Sequence, residues 1–293
     1  MITGSIVALI TPFNEDNSIN YNKLYELIEY QYICGTDALL ILGTTSESST
    51  LSDDEKDFLI DFVINQNACR MKIVAGVISN VTQIAVEKAI KYEKLGVDCL
   101  LVSPPYYNKT NKSGVIKHFK MIADSVNIPT IVYNIPSRTS LNIDYELIKE
   151  LKKVSNIIGV KESSKDINHI IDISNLCDDN FSLYCGNDEL CYIFLSLGAK
   201  GLINVYGNIE PKVFKNMINV YEINEYLSRK YFFQYYDLFK ILSIDINPIP
   251  IKMLMNYIGL KVGGYRLPLD KMNDIDANRI IEVYQNIKRN RYH

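Results

Sequence analysis

Eight short apolar runs rich in β-branched residues recur along this chain between residues 6 and 207. Each run is almost continuously apolar rather than alternating, a pattern typical of parallel strands that are covered on both faces. The runs are IVALITPF (6–13), ALLILGTT (38–45), KIVAGVI (72–78), CLLVSPP (99–105), TIVYNIP (130–136), IIGVKES (157–163), LYCG (183–186) and GLINVYG (201–207).

Segments with helical periodicity lie between these runs. They cover residues 21–34, 52–69, 82–95, 143–151, 167–176 and 189–197, and the second opens with SDDE, the pattern of a capping box. Strands and helices that alternate about every thirty residues predict successive βα units. Because eight such units close into a (β/α)8, or TIM, barrel, the sequence predicts an α/β barrel.

The chain of 293 residues continues well past the eighth run. Helical patterns at 224–243, 247–259 and 274–290 predict a C-terminal helical extension. We therefore expect a (β/α)8 catalytic barrel over 1–223 and a helical domain over 224–293. No Gly/Ser-rich or Pro-rich linker separates the two, so the extension is expected to pack on the barrel.

Composition narrows the possible functions. The net charge of −3 gives no basic excess for binding nucleic acid. No run approaches the roughly 18 apolar residues of a membrane span. The N-terminus lacks the pattern of a signal peptide, so we expect a cytoplasmic protein. The six cysteines include no CxxC pair, which predicts reduced thiols within the core.

Histidine is scarce, and this limits the chemistry. Only three are present, one of them in the helix-like segment GVIKHFKMI, and there is no HExxH sequence or Cys/His cluster. No metal site is therefore expected. Glycine-rich nucleotide loops and a GxSxG nucleophile elbow are also absent from the sequence. Catalysis is then expected to depend on Lys, Tyr, Thr, Ser, Arg or carboxylate side chains.

The functional groups of a barrel enzyme lie at the C-terminal ends of its strands. These ends supply candidate residues without any motif search. The candidates are Gly43, Thr44 and Thr45 after the second run, Tyr106 and Tyr107 after the fourth, Tyr133 and Arg138 at the fifth, Lys161 and Glu162 at the sixth, Gly186, Asn187 and Asp188 at the seventh, and Asn204 and Tyr206 at the eighth.

Lys161 follows IIGV inside a strand, where burial of a charged ammonium is costly. Burial disfavours the charged form of an amine, and a neutral amine is a nucleophile that forms Schiff bases with carbonyl compounds. The alternative is a lysine that pairs with a carboxylate such as Glu162 or Glu47. Position in the sequence leaves both interpretations open.

Tyr133 lies 28 residues before Lys161, one βα unit back, so we expect it on the adjacent strand at a similar height. Its hydroxyl can shuttle protons there, or it can be a core tyrosine. Thr44 and Thr45 can offer hydroxyl and N–H groups to a small anion, or merely form a turn. Arg138 can bind a carboxylate through two hydrogen bonds, or lie at the surface.

A lysine on strand six, a tyrosine on strand five and a GTT turn after strand two together resemble the pyruvate-dependent class I aldolases related to N-acetylneuraminate lyase. The likeness extends from GSIVALITPF (4–13) to RLPL (266–269) and is greatest toward the dihydrodipicolinate synthase branch of that family. The shared motifs are GTTSES (43–48), PPYYN (104–108), YNIPSRTS (133–140), GVKES (159–163), YCGND (184–188) and NPIPIK (247–252).

The resemblance implies an activity in lysine and diaminopimelate biosynthesis, the condensation of pyruvate with L-aspartate-4-semialdehyde in a homotetramer. The pyruvate would form an imine with Lys161, without a cofactor. Arg138 would bind the carboxylate of the aldehyde, which favours this branch over a sister aldolase such as N-acetylneuraminate lyase. A catalytically weakened barrel that acts as a binding protein is a further alternative, opposed by the joint presence of these residues.

The resemblance also implies roles for other residues. Thr44 and Thr45 would hold the carboxylate of pyruvate. Tyr133, Thr44 and Tyr107 would form a proton relay, in which Tyr107 reaches into the site of the neighbouring subunit. The residues that would line the pocket through backbone groups are Gly186 and Ile203.

Three loops depart from the family pattern. The family usually has glycine at the positions of Ser46 and Ser140, and Thr-Gly at the positions of Val77 and Ile78. Glycine often supplies a positive φ that other residues tolerate poorly. We therefore expect the loops after strands two, three and five to differ in shape, which bears on substrate choice more than on imine chemistry.

Regulation by lysine gives a first testable prediction. Many relatives bind inhibitory lysine at a subunit interface, and sensitive ones have a histidine and a glutamate where this chain has Lys56 and Ile84. A lysine ammonium repels the ammonium of the ligand, and isoleucine offers no acceptor. We expect weak or absent inhibition, and strong inhibition by sub-millimolar lysine in a steady-state assay would contradict this. The positions that match the regulatory site are Ser48, Ser49, Asp53, Lys56, Asn80, Ile84 and Tyr106.

Overall fold

Eight parallel strands close into a barrel in the order of the sequence, with the last strand paired to the first. The structure, a computed structural model, describes residues 2–290. The strands are β1 Gly4–Ala8, β2 Ala38–Ile41, β3 Lys72–Val77, β4 Cys99–Val102, β5 Thr130–Asn134, β6 Ile157–Glu162, β7 Ser182–Cys185 and β8 Gly201–Asn204. Each predicted run overlaps one strand, which confirms the predicted (β/α)8 barrel.

Helices follow the strands and cover the outside of the barrel. The barrel helices are α1 Tyr21–Ile33, α2 Asp53–Asn67, α3 Thr82–Leu95, α4 Lys112–Asp124, α5 Pro136–Thr139, α6 Tyr145–Leu151, α7 Ile167–Ser174, α8 Cys191–Ser196 and α9 Pro211–Tyr221. The predicted capping box is present at α2, where Ser52 and Glu55 exchange hydrogen bonds of 3.1 and 2.9 Å. The single-turn α5 and the longer α9 have no counterpart among the predicted helices.

Side chains on both faces of the strands are buried, as continuously apolar runs require. Inside the barrel, Ile6, Leu40, Leu101 and Ile203 form a compact inner core. A larger core fills the layer between the strands and the surrounding helices. The packed interior leaves the C-terminal ends of the strands as the place where polar side chains meet.

Three further helices form the C-terminal extension: α10 Glu225–Ile241, α11 Ile249–Tyr257 and α12 Asp274–Asn290. The aromatic side chains of α10 pack onto the barrel, since Phe239 stacks on Phe214 of α9 at 5.3 Å between ring centroids. The predicted boundary at 223 falls between α9 and α10 and stays a prediction. Residues 291–293 of the predicted helical domain lie outside the described residues.

The sequence predicts no membrane span and reduced cysteine thiols within the core. Within residues 2–290, no helix has both the length and the apolar character that crossing a membrane requires. All six cysteines are free thiols. Cys69 is exposed, and Cys34 and Cys177 are only half-buried, which corrects the prediction that the cysteines lie within the core.

Among the four positions that depart from the family pattern, Ser140 alone adopts a left-handed backbone, with φ of +54°. It ends α5 by donating its N–H to the carbonyl of Pro136 at 2.9 Å. Ser46, Val77 and Ile78 have no positive φ, and the Ser46 hydroxyl donates to the Leu9 carbonyl at 2.7 Å. At Ser46, Val77 and Ile78, therefore, no positive φ disfavours a residue other than glycine. The expected difference in loop shape stays a prediction.

This geometry predicts that Ser140→Gly stabilises the fold. A left-handed backbone costs an L-residue roughly 1–2 kcal/mol, and the extra chain entropy of glycine offsets part of that gain. We expect the free energy of unfolding to rise by about 1 kcal/mol, measured by denaturant titration. Ser140→Ala retains the Cβ atom and is the control, so equal stability of the two variants would contradict the explanation.

Candidate active site

A cavity of about 230 Å³ lies at the C-terminal ends of the strands, between the barrel and the helical extension. Seven of the eight residues predicted for catalysis or substrate binding line it. They are Thr44, Thr45, Tyr133, Arg138, Lys161, Gly186 and Ile203. Tyr107 does not line it. This residue is 91% exposed, and its backbone is left-handed with φ of +68°.

Lys161 and Tyr133 meet in the floor of this cavity. The β5–β6 register pairs them directly, as the spacing of one βα unit predicts. Both residues are only 5% exposed. The Lys161 Nζ lies 4.2 Å from the centroid of the Tyr133 ring, so the aromatic face is in contact with the amine.

Lys161 is not paired with a carboxylate. Within residues 2–290, no carboxylate oxygen lies within 4.0 Å of its Nζ. Glu162 accepts hydrogen bonds from the Asn134 Nδ2 at 2.7 Å and the Ser164 N–H at 2.6 Å, with His169 at 3.4 Å. The interpretation of Lys161 as the partner of Glu162 is therefore wrong.

Glu47 is likewise engaged elsewhere. Its carboxylate binds the Nζ of Lys252 at 2.7 Å, and both side chains are fully buried. Burial lowers the pKa of Lys252, while Glu47 acts in the opposite direction. The interpretation of Lys161 as the partner of Glu47 is also wrong.

Two titratable groups near the cavity have shifted pKa values. Burial raises the pKa of the Asp188 carboxyl to about 6, although hydrogen bonds from the N–H groups of Tyr206 and Val205 oppose the shift. Behind β6, a hydrogen bond to Glu162 raises the pKa of His169. Asp188 was a strand-end candidate without an assigned role, and the structure places it in the cavity wall.

Asn247 of the extension is a site residue that the sequence did not assign. Its Nδ2 donates to the Thr45 hydroxyl at 3.0 Å, and its carbonyl accepts from the Arg138 Nη2 at 2.8 Å. The NPIPIK motif that contains it was the available signal. Its position in the cavity depends on how the extension folds back over the barrel, which periodicity does not reveal.

A second cavity of about 240 Å³ contains six of the seven positions that match the regulatory site. Asn80 is the exception, and its carbonyl accepts from the Asn108 Nδ2 at 2.9 Å. Lys88, which the sequence did not single out, joins Lys56 on the Asp53 carboxylate, each at 3.0 Å. Both ammonium groups hold the pKa of Asp53 below its usual range. The cavity thus has more positive charge than the sequence suggested.

The sequence predicts no metal site. Across the part of the chain that the structure describes, no three His, Cys, Asp or Glu side chains are grouped so that they could hold a metal ion. The absence of a cofactor stays a prediction.

Comparison with known proteins agrees with this geometry. Residues 1–286 match the model of the dihydrodipicolinate synthetase family. The chain belongs to this family. It is 42% identical over 275 residues to the 4-hydroxy-tetrahydrodipicolinate synthase of Acetivibrio thermocellus, covering 94% of this chain and 93% of that one. It is 40% identical over 291 residues to the same-named protein of Clostridium novyi, covering 99% and 97%.

The fold of this chain also matches that of a solved relative. The crystal structure of dihydrodipicolinate synthase from Aquifex aeolicus superimposes with a TM-score of 0.93 at 38% identity and covers 98% of each chain. Family membership makes this chain an enzyme of the lyase class, of the class I aldolase type.

Gly186 leaves the space that the Lys161 side chain occupies. A Cβ atom there would lie 2.0 Å from the Ser163 Oγ and 2.9 Å from both the Lys161 Cε and the Glu162 carbonyl. We expect Gly186→Ala to lower kcat/KM by roughly a hundredfold, since a displacement of about 1 Å in a catalytic group can cost that much.

The matched control is Gly264→Ala. An added Cβ at Gly264 meets nothing within 4 Å, so this variant should retain activity and thermal stability. A Gly186→Ala enzyme as active as the control would show that the close approach to Lys161 is unimportant.

Proposed function

We propose that this enzyme condenses pyruvate with L-aspartate-4-semialdehyde to give 4-hydroxy-tetrahydrodipicolinate, with Lys161 as the nucleophile. The observation that carries the proposal is the buried Lys161 amine without a carboxylate partner, in contact with Tyr133 at the floor of a small cavity. A lysine held in this way reacts with carbonyl groups. The names of the relatives agree with this reaction.

In the first half of the reaction, the Lys161 amine attacks the carbonyl carbon of pyruvate and water leaves, forming an imine. Loss of a proton from the pyruvate methyl group gives an enamine. Thr44 and Thr45 bind the pyruvate carboxylate through hydroxyl and N–H groups. Tyr133 is adjacent to the reacting nitrogen and moves protons during the addition and the loss of water.

In the second half, the enamine carbon attacks the aldehyde carbon of L-aspartate-4-semialdehyde, whose oxygen takes up a proton. The amino group of the product then attacks the imine carbon, closes the ring and displaces the Lys161 amine. Arg138, in the cavity wall, binds the carboxylate of the aldehyde substrate. The product is released and the free amine is restored, so no cofactor is consumed.

Tyr107 completes the proposed proton relay with Tyr133 and Thr44 from a neighbouring subunit, in a homotetramer. Its 91% exposure within one chain and its left-handed backbone support a contact outside the chain. A cytoplasmic location remains a prediction from the sequence.

The choice of aldehyde tests the function. We expect turnover of pyruvate with L-aspartate-4-semialdehyde and none with N-acetylmannosamine. Lys161→Met should lower the rate at least a thousandfold, whereas Lys165→Met, which removes an exposed lysine paired with Glu189, should leave it unchanged. Turnover of N-acetylmannosamine instead would indicate a sister aldolase, and no turnover of either would indicate a binding protein.

A further inference from the structure

The turn that follows β2 contains Thr44 and Thr45 and ends at Glu47. The Glu47 N–H donates to the Thr44 carbonyl at 3.0 Å, and Glu47 itself has a left-handed φ of +54°. This conformation directs the Glu47 side chain away from the cavity and into the contact between barrel and extension. The turn thus joins Glu47 to the two threonines, and Ser46 anchors it as well, since its hydroxyl donates to the Leu9 carbonyl and its carbonyl accepts from the Thr11 hydroxyl, each at 2.7 Å.

Lys252 of α11 holds Glu47 through an ion pair in which both side chains have no exposed surface. The Lys252 Nζ lies 2.7 Å from the Glu47 Oε1, donates to the Thr11 carbonyl at 3.1 Å and lies 4.4 Å from the ring centroid of Phe13. The second carboxylate oxygen accepts from the Arg266 N–H at 3.3 Å. Each charged group thus has several partners in one fixed geometry.

A buried ion pair is a poor source of net stability, because the attraction between the two charges barely offsets the loss of their hydration. What such a pair does supply is directional geometry, as both groups must meet at one distance and angle. The residues just before α11 contact the turn at a second point, where the Asn247 Nδ2 donates a hydrogen bond to the Thr45 hydroxyl. Barrel and extension are therefore joined at Glu47 and at Thr45 itself, one of the two threonines proposed to bind pyruvate.

We propose that Glu47 and Lys252 are positioning residues for pyruvate: their ion pair sets the Thr44–Thr45 turn at the height where it binds the pyruvate carboxylate. Neither residue lines the cavity, so they act through the turn and do not touch substrate. This inference rests on the proposed function. It predicts a larger effect on pyruvate binding than on the chemical steps, which depend on the turn only through the place of Thr44 in the proposed proton relay.

The test uses the double variant Glu47→Gln/Lys252→Met in the full chain. It removes both charges at nearly constant volume, so no unpaired charge remains buried. We expect the KM for pyruvate to rise at least tenfold and kcat at saturating pyruvate to fall by a smaller factor, because, of the two threonines, only Thr44 also belongs to the proposed proton relay. Hydrogen–deuterium exchange of the peptide that contains residues 43–47 should become faster.

The control is Glu29→Gln/Arg70→Met, which removes an ion pair between α1 and the loop after α2 and should change neither the KM nor this exchange. An unchanged KM for pyruvate overturns the positioning role, even if exchange becomes faster. If the wild-type enzyme does not condense pyruvate, the proposed function fails. The exchange rate then decides alone, with faster exchange supporting the role of the pair in holding the turn and unchanged exchange overturning it.

Discussion

The proposed chemistry depends on one buried lysine amine, Lys161, which has no carboxylate oxygen within 4.0 Å among residues 2–290. Glu162, next to Lys161 in the chain, is satisfied behind the strand by Asn134, Ser164 and His169. Successive strand residues point to opposite faces, so the two side chains are separated by the strand itself. The Lys161 amine and the Glu162 carboxylate, although adjacent in the sequence, thus lie in different environments.

The other nearby carboxylates are also committed. Asp188 accepts hydrogen bonds from the backbone of Val205 and Tyr206, and Glu47 is held by Lys252. A carboxylate that moved to Lys161 would abandon these partners and would stabilise the charged amine, which is not nucleophilic. In the proposed mechanism, the hydrogen bonds around the cavity therefore keep these carboxylates away from the Lys161 amine.

The helical extension is part of the site rather than an appendage. Asn247 bonds to both Thr45 and Arg138, so the groups proposed to bind the two substrates are tied to one residue. The turn after β2 continues directly from a barrel strand, and its last residue, Glu47, is bound by Lys252 of α11. This arrangement explains how side chains on loops can keep a defined geometry.

The barrel was predictable because each strand carries its own apolar signal and successive βα units can close only in a few ways. The pairing of Tyr133 with Lys161 followed from the repeat length alone. Asn247 and the Glu47–Lys252 pair were not predictable, since they join segments about two hundred residues apart. Whether Lys161 has a carboxylate partner was also not predictable, because a sequence does not show which partner each nearby carboxylate takes.

The central claim is that Lys161 reacts with pyruvate as a free amine, and trapping of the imine tests it most directly. The enzyme is incubated with pyruvate and borohydride, digested and analysed by mass spectrometry. The account predicts the mass increase of one reduced pyruvate unit on the peptide that contains Lys161, absent without pyruvate. An unmodified Lys161 in the presence of both reagents, or a modification confined to another lysine, would contradict it.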